Sequence, residues 1–173
     1  MDKTLQSKYQ NAQRQGKNMK IRTANFEDAD LLVDFNQAMA LETEGKRLNP
    51  DILKSGVTAV FQDEKKGFYV VAESADQIVG GLMVTFERSD WRNAWFWWIQ
   101  SVYILPEFRG KGLYRGLYQF VQQKAEAQGD VCGFRLYVEK ENVSAQKVYE
   151  KLGMAKSHYL MYEAESKQKS RNP

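Results

Sequence analysis

Stretches rich in apolar residues, many with alternating polar and apolar positions, recur along the chain and predict β-strands. In a strand, successive side chains point to opposite faces of the sheet, so alternation marks a strand with one buried face. β-Branched and aromatic residues strengthen the assignment because they fit a pleated surface. Six stretches meet these criteria, at residues 19–24, 67–73, 78–86, 95–105, 134–139 and 157–164.

Between these strands, apolar residues recur every three or four positions, which predicts helices. Asn25 and Asn49 are typical N-cap residues, and Pro50 fits the first turn of a helix. Gly129 and Gly153 are suited to end one. The predicted helices cover residues 26–44, 50–62, 113–127 and 143–152.

Residues 95–118 organise the chain, because they combine a strand, a glycine loop and the start of a helix. Pro106 ends the strand, since proline cannot continue a ladder. Gly110 and Gly112 then allow the backbone to turn tightly and to approach a ligand. The helix that starts near Leu113 points unpaired N–H groups into this turn. Such a loop is suited to binding phosphate.

Two common phosphate-binding motifs fit this loop poorly. A Walker motif requires a Gly-Lys-Ser/Thr run, whereas here Gly112 is followed by Leu113. The dinucleotide-binding fingerprint requires a third glycine where this chain has Arg115.

The loop instead resembles the central motif of the GNAT N-acetyltransferase superfamily. That motif, Arg/Gln-x-x-Gly-x-Gly/Ala after a strand, is met by Arg109 and Gly112. The sixth position departs from it, being Tyr114. The contact that the resemblance implies there is a backbone N–H, which tyrosine also supplies.

A second stretch, residues 136–154, is similar to the downstream signature of the same family. That signature is a strand followed by Asn-x-x-Ala-x-x-x-Tyr-Glu-Lys-x-Gly-Phe/Met. Asn142 and Tyr149 occupy its asparagine and tyrosine positions. With both motifs correctly ordered and spaced, the chain is identified as a GNAT member over roughly residues 19–164.

The resemblance implies an α/β fold (α+β mixed) with the element order β-α-α-β-β-β-α-β-α-β. Its sheet is mixed and largely antiparallel, and strands four and five splay to admit coenzyme A. The acetyltransferase domain is expected over residues 19–164. Residues 1–18, which have almost no large apolar side chains, and residues 165–173 are expected to be mobile tails.

The resemblance also implies where acetyl-CoA would bind as co-substrate. Strand residues would pair with the pantetheine amides, as a sheet edge pairs with an extended peptide. Loop N–H groups would surround the pyrophosphate. A pantetheine contact and a simple N-cap role are equally compatible with Asn142. The implied binding residues are Val102, Tyr103, Ile104, Arg109, Gly110, Lys111, Gly112, Leu113, Tyr114 and Asn142.

For catalysis, Tyr149 aligns with the family tyrosine that lies beside the thioester sulfur. The implied role is to donate a proton to the leaving thiolate. The alternative is a packed aromatic residue on a short helix.

The group that accepts the amine proton is left open. Many family members carry a glutamate on the central strand, but Gln100 and Ser101 stand near that position here. Neither is a base at neutral pH. Either water serves, or a carboxylate from a segment around the implied acceptor cleft, for which surface solvation is the alternative. The candidates, in order, are Glu42, Glu44, Glu87 and Asp90.

Composition narrows the class of protein. The 173 residues are 43% apolar and 13% aromatic, enough for one domain with a sizeable core. With only one cysteine, Cys132, and one histidine, neither an internal disulfide nor a Cys/His zinc cluster can form. No metal is therefore expected, and a reducing cytoplasm is the expected location. No apolar run is long enough to span a membrane.

The net charge of +3 is carried by the two tails, and the remainder is slightly acidic. A nucleic-acid partner therefore has little support, and no membrane partner is expected.

The leading functional hypothesis is an acetyl-CoA-dependent N-acetyltransferase that acts on a small-molecule amine. Acetylation of a protein lysine or N-terminus is a second, and a non-catalytic coenzyme-A-binding sensor is a third. Acidic residues in the acceptor segments favour a cationic small acceptor, whereas the missing strand glutamate favours the sensor. The sequence leaves the oligomeric state open, a homodimer included.

Overall fold

The computed structural model describes residues 19–164, and a five-stranded sheet forms the framework of residues 19–137. The strands are β1 (Met19–Thr23), β2 (Phe68–Ser74), β3 (Gln77–Ser89), β4 (Ala94–Ile104) and β5 (Val131–Leu136). They lie in chain order across the sheet. Neighbouring strands are antiparallel except β4 and β5, which are parallel. The prediction of a mixed, largely antiparallel sheet is confirmed.

Four α-helices are α1 (Ala29–Glu44), α2 (Pro50–Gln62), α3 (Leu113–Gln128) and α4 (Val143–Lys151). The side chain of Asn49 accepts hydrogen bonds from the N–H groups of Asp51 and Ile52, as its N-cap prediction requires. α1 begins later than predicted because a 3₁₀ turn, Phe26–Asp28, precedes it. No helix of the described chain is long and apolar enough to cross a bilayer.

Helices α1 and α2 cover one face of the sheet, and α3 covers the other. On one face, Phe35 of α1 packs against Tyr103, with ring centroids 5.2 Å apart. Leu32 and Val57 belong to the same buried cluster. On the other face, Tyr118 of α3 packs edge-on against Phe134 at 5.5 Å. The sheet thus lies between two helix layers.

α3 approaches β1 closely at Gly116. A Cβ atom at Gly116 would lie 2.7 Å from Cδ1 of Ile21 on β1. The absence of a side chain at Gly116 leaves room for the end of the Ile21 side chain. α3 is the connection that the parallel β4–β5 pair requires.

Residues 138–164 form a compact unit separate from residues 19–137. This second unit contains α4. The signals for its ends are confirmed, since Asn142 caps the helix by accepting a hydrogen bond from the N–H of Ala145 and Gly153 follows it with φ +85°.

Of the last two predicted strands, one is confirmed with shifted bounds and the other was wrong. The strand predicted at 134–139 lies at Val131–Leu136, and the carbonyl groups of Glu139 and Lys140 instead accept bonds from Gln146. The strand predicted at 157–164 is not formed. Its consecutive apolar residues, including Tyr159 and Leu160, are exposed. Apolar composition alone does not make a strand, because the backbone also needs a partner.

The buried charged group of the first unit is Asp28, whose side chain is only 8% exposed. Arg22 donates to both of its oxygens, at 2.7 and 3.0 Å, and the N–H of Asn25 donates to one at 2.8 Å. Arg22 also contacts Glu73 at 2.6 Å. Burial by itself would raise the pKa of Asp28, but these hydrogen bonds and the Arg22 charge outweigh it, so the pKa is lowered.

Asp28→Asn is expected to lower the free energy of unfolding by about 2 kcal/mol at neutral pH, because it leaves Arg22 with a weaker partner. A carboxyl whose pKa is lowered by folding stabilises above its unfolded pKa of about 3.9. That stability is lost as the pH falls through the lower folded pKa. The difference between variant and parent in urea unfolding should therefore shrink at acid pH.

Asp30→Asn is the matched control, because the Asp30 carboxylate is 81% exposed and pairs with Lys54 on the surface. A change within about 0.5 kcal/mol is expected for it. Equal losses in the two variants would contradict the importance of burial at Asp28.

Candidate active site

The glycine loop joins β4 to α3 and has the backbone that its sequence predicts. Pro106–Phe108 forms a 3₁₀ turn, after which Gly110 and Gly112 adopt φ +72° and +81°. Residues with side chains rarely adopt this left-handed conformation. At both positions a Cβ atom would meet no other atom within 4 Å. The glycines therefore serve the turn and leave the space outside it open.

Gly112 is the N-cap of α3, so no side chain caps this helix. The first N–H groups of a helix have no partner within the helix, and they carry the positive end of its dipole. The first turn of α3 contains no acidic residue. An anion is the ligand that this arrangement favours.

The last residues of β4 leave one edge without β5. Pairing between the two strands ends at Ile99 and Leu136, whereas β4 continues to Ile104. On its other edge, β4 stays paired with β3 through Tyr103 and Ile104. The strands thus part where the resemblance places the pantetheine arm.

A β-bulge lies just where β5 ends. The β3–β4 register shifts between Gly81 and Met83, and Ser101 adopts φ +50°. Bulges re-aim the strand that carries them. The bulge is not predictable from the sequence, since serine at a bulge has no distinctive signal.

Arg109 and Glu42 meet at the start of the loop. Nη2 of Arg109 donates to Oε2 of Glu42 at 2.7 Å, and Nε donates to the carbonyl of Ile104 at 2.8 Å. The hydroxyl of Tyr103 donates to Oε1 of Glu42 at 3.0 Å. The structure therefore joins one predicted catalytic carboxylate to two predicted cofactor-binding residues.

The remaining loop residues divide into buried and exposed ones. Leu113 and Tyr114 are buried, and the ring of Tyr114 stacks on that of Tyr118. Lys111 is exposed, with Nζ 5.3 Å from the ring centroid of Phe108. Leu113 and Tyr114 can therefore contact a ligand through their backbone groups. The resemblance implies such a backbone N–H contact at Tyr114.

The other residues considered for the acceptor side have partners different from Arg109 and Tyr103. Glu44 pairs with Lys46 at 2.8 Å on the surface. Nε2 of Gln100 donates to Thr85 at 2.9 Å. Asp90 accepts from the N–H of Trp91 in the β3–β4 turn.

Glu87 belongs to a cluster of side chains on β3, β4 and β5. One member of this cluster, Arg135, was not among the residues predicted from the sequence. Arg135 contacts Glu87 at 2.6 Å and lies over the ring of Phe96 at 3.8 Å. Nε1 of Trp98 donates to the same glutamate at 2.5 Å. Arg135 on β5 comes beside β4 only through the parallel pairing, so its position in the sequence gave no signal.

Tyr149 and Asn142 lie on α4 in the second unit. Burial raises the pKa of Tyr149 above its ordinary value. The phenol is therefore protonated at neutral pH and is chemically able to donate a proton.

Most of the chain matches a known protein family. Residues 31–154 match the model of the Acetyltransferase (GNAT) family. No curated protein matches the sequence.

Many solved structures share the fold. A possible acetyltransferase from Clostridium difficile 630 is 44% identical, with a TM-score of 0.81 over 87% of this chain and 99% of its own. A predicted acetyltransferase from Clostridium acetobutylicum, solved with acetyl-CoA, is 20% identical, with a TM-score of 0.71 over 84% and 96%. AAC(6')-Iy, solved with a bisubstrate analog, is 18% identical, with a TM-score of 0.69 over 86% and 99%.

Proposed function

Because the chain belongs to the GNAT acetyltransferase family, whose members transfer acyl groups from acetyl-CoA, we propose that it acetylates the primary amine of a small molecule. The observation that carries the cofactor half of this proposal is the loop with Gly110 and Gly112. Their open left-handed turn lies between an unpaired strand edge and a helix N-terminus. An extended, anionic molecule such as acetyl-CoA fits these two features together.

The residues that would hold acetyl-CoA divide by chemistry. Backbone groups of Val102, Tyr103 and Ile104 would pair with the pantetheine amides at the free edge of β4. The N–H groups of residues 109–114 would bind the pyrophosphate. Asn142 would offer its side-chain amide, whose oxygen also caps α4.

The chemistry of the bound co-substrate is that of a thioester, whose carbonyl carbon accepts an amine. The new C–N bond forms as the C–S bond breaks. The leaving sulfur then needs a proton, and the amine must lose one. We assign the donated proton to the Tyr149 hydroxyl, which its raised pKa keeps protonated.

For the proton that the amine loses, Glu44 is the more available of the first two candidates. Its partner Lys46 is mostly exposed, so the pair is weak. Glu42 already accepts hydrogen bonds on both oxygens. Water is the other route.

A small acceptor is supported by the acidic residues near α1 and the β3–β4 turn, since a protonated amine is a cation. AAC(6')-Iy, which shares the fold, is solved with a bisubstrate analog built on an acetylated neamine. The single cysteine supports a cytoplasmic location.

The test is release of free thiol from acetyl-CoA in the presence of small amines, peptides or no acceptor. We expect release that depends on a small amine. Release that depends only on peptides would indicate protein acetylation. Binding of acetyl-CoA without release in any mixture would indicate a sensor.

A further inference from the structure

Arg109 is the first residue of the glycine loop after its 3₁₀ turn, and it is fastened at two points. Its Nε is bonded to the carbonyl of Ile104, at the end of its own strand. Its Nη2 is bonded to Glu42 on α1, 67 residues away in sequence. The guanidinium also lies 5.4 Å from the ring centroid of Tyr103. These contacts fix both the position and the plane of the side chain.

One oxygen of the Glu42 side chain, which is 42% exposed, accepts a hydrogen bond from a buried residue. Tyr103, which donates this bond, is only 8% exposed and packs against Phe35. Burial and the bond to the Glu42 carboxylate raise the pKa of Tyr103. The hydroxyl therefore stays protonated and remains a donor at neutral pH. The carboxylate thus connects a buried aromatic residue to the first residue of the loop.

This geometry holds the carboxylate of Glu42 toward the glycine loop. Each oxygen of Glu42 accepts one hydrogen bond from this chain, so the carboxylate is oriented toward Tyr103 and Arg109. The same contacts suit a residue that orders the loop before a ligand arrives, since a preorganised loop loses less entropy on binding.

We propose that Glu42 is a positioning residue for acetyl-CoA, which acts through Arg109 to hold the glycine loop at the end of β4. The inference rests on the acetyl-CoA-dependent function proposed above. Glu42 was predicted from the sequence as a candidate general base, whereas here it is a positioning residue. The two roles have different kinetic signatures.

The test is Glu42→Gln, which keeps the size of the side chain and removes its charge. We expect the dissociation constant and KM for acetyl-CoA to rise by up to about fivefold, because a half-exposed ion pair with the loop is lost. The KM for the amine and the acid limb of the pH–rate profile should not change. Asp30→Asn, an exposed carboxylate on the same helix, is the matched control and should leave acetyl-CoA affinity unchanged.

A double-mutant cycle shows whether the effect passes through Arg109. In the Arg109→Gln background, Glu42→Gln should cause little further loss of acetyl-CoA affinity, since its partner is already gone. Independent, additive losses would overturn the proposal. If Glu42→Gln fails to fold, Glu42→Asp replaces it, because the shorter carboxylate keeps the charge but withdraws it from Arg109.

Two other results have distinct meanings. Unchanged acetyl-CoA affinity in Glu42→Gln, with a raised amine KM or a shifted acid limb, would overturn the positioning role in favour of the base. Absence of acetyl-CoA binding to the parent protein in calorimetry would instead defeat the proposed function itself.

Discussion

Replacing Tyr149 by phenylalanine is expected to lower kcat by about 10²–10⁴-fold, the usual contribution of a general acid. The substitution keeps the ring and its packing and removes only the hydroxyl. Acetyl-CoA affinity and thermal stability should therefore be largely retained. Because burial raises the pKa of Tyr149 above its usual value of about 10, the basic limb that it causes in the parent should lie above that pH and disappear in the variant.

Tyr162→Phe is the matched control, since it makes the same chemical change at a tyrosine that is 90% exposed. It should leave kcat unchanged. The comparison must be made with an amine for which chemistry, not product release, limits turnover. Full activity of Tyr149→Phe under that condition would show that water protonates the thiolate.

Replacing Gly112 by valine is expected to abolish measurable acetyl-CoA binding. Gly112 has φ +81°, and the side chain would project into space that is open in this structure. A ligand backed against the loop would meet that side chain. The left-handed backbone would also be strained by a β-branched residue, with a cost of about 1–3 kcal/mol.

Gly129→Val separates these two consequences. Gly129 ends α3 with φ +85° and also has open space around its Cβ position, so it carries a similar strain away from the loop. Calorimetry should show lost binding only for Gly112→Val, with similar losses of stability in both variants. If the folded Gly112→Val protein binds acetyl-CoA as the parent does, the loop is not the cofactor site.

The predictable part of the fold was encoded locally. Asn49 and Pro50 predict the start of α2, because a cap side chain and a proline act within one turn of the helix. Gly112 and Gly129 likewise mark backbone positions that need a left-handed conformation. The role of the glycine loop came from resemblance, since many loops contain two glycines.

The parts that could not be predicted depend on contacts between distant segments. The pairing of Glu42 with Arg109 requires α1 to end beside the end of β4. Arg135 reaches Glu87 only because β5 pairs with β4. The segment at 157–164 has suitable residues but forms no strand in the part of the chain that the structure describes, and nothing within the segment itself indicates whether another strand will pair with it.

The parallel pairing of β4 with β5 also constrains the order in which the fold can form. Hairpins join β2, β3 and β4 locally, so these strands can pair while the chain is still short. β5 reaches β4 only after all of α3 has been made, and closing that longer loop costs more entropy. A nascent chain on the ribosome that stops before Val131 therefore has the glycine loop but not the strand that bounds one side of the open edge. We expect the ability to bind acetyl-CoA to appear late in synthesis, after β2, β3 and β4 have paired.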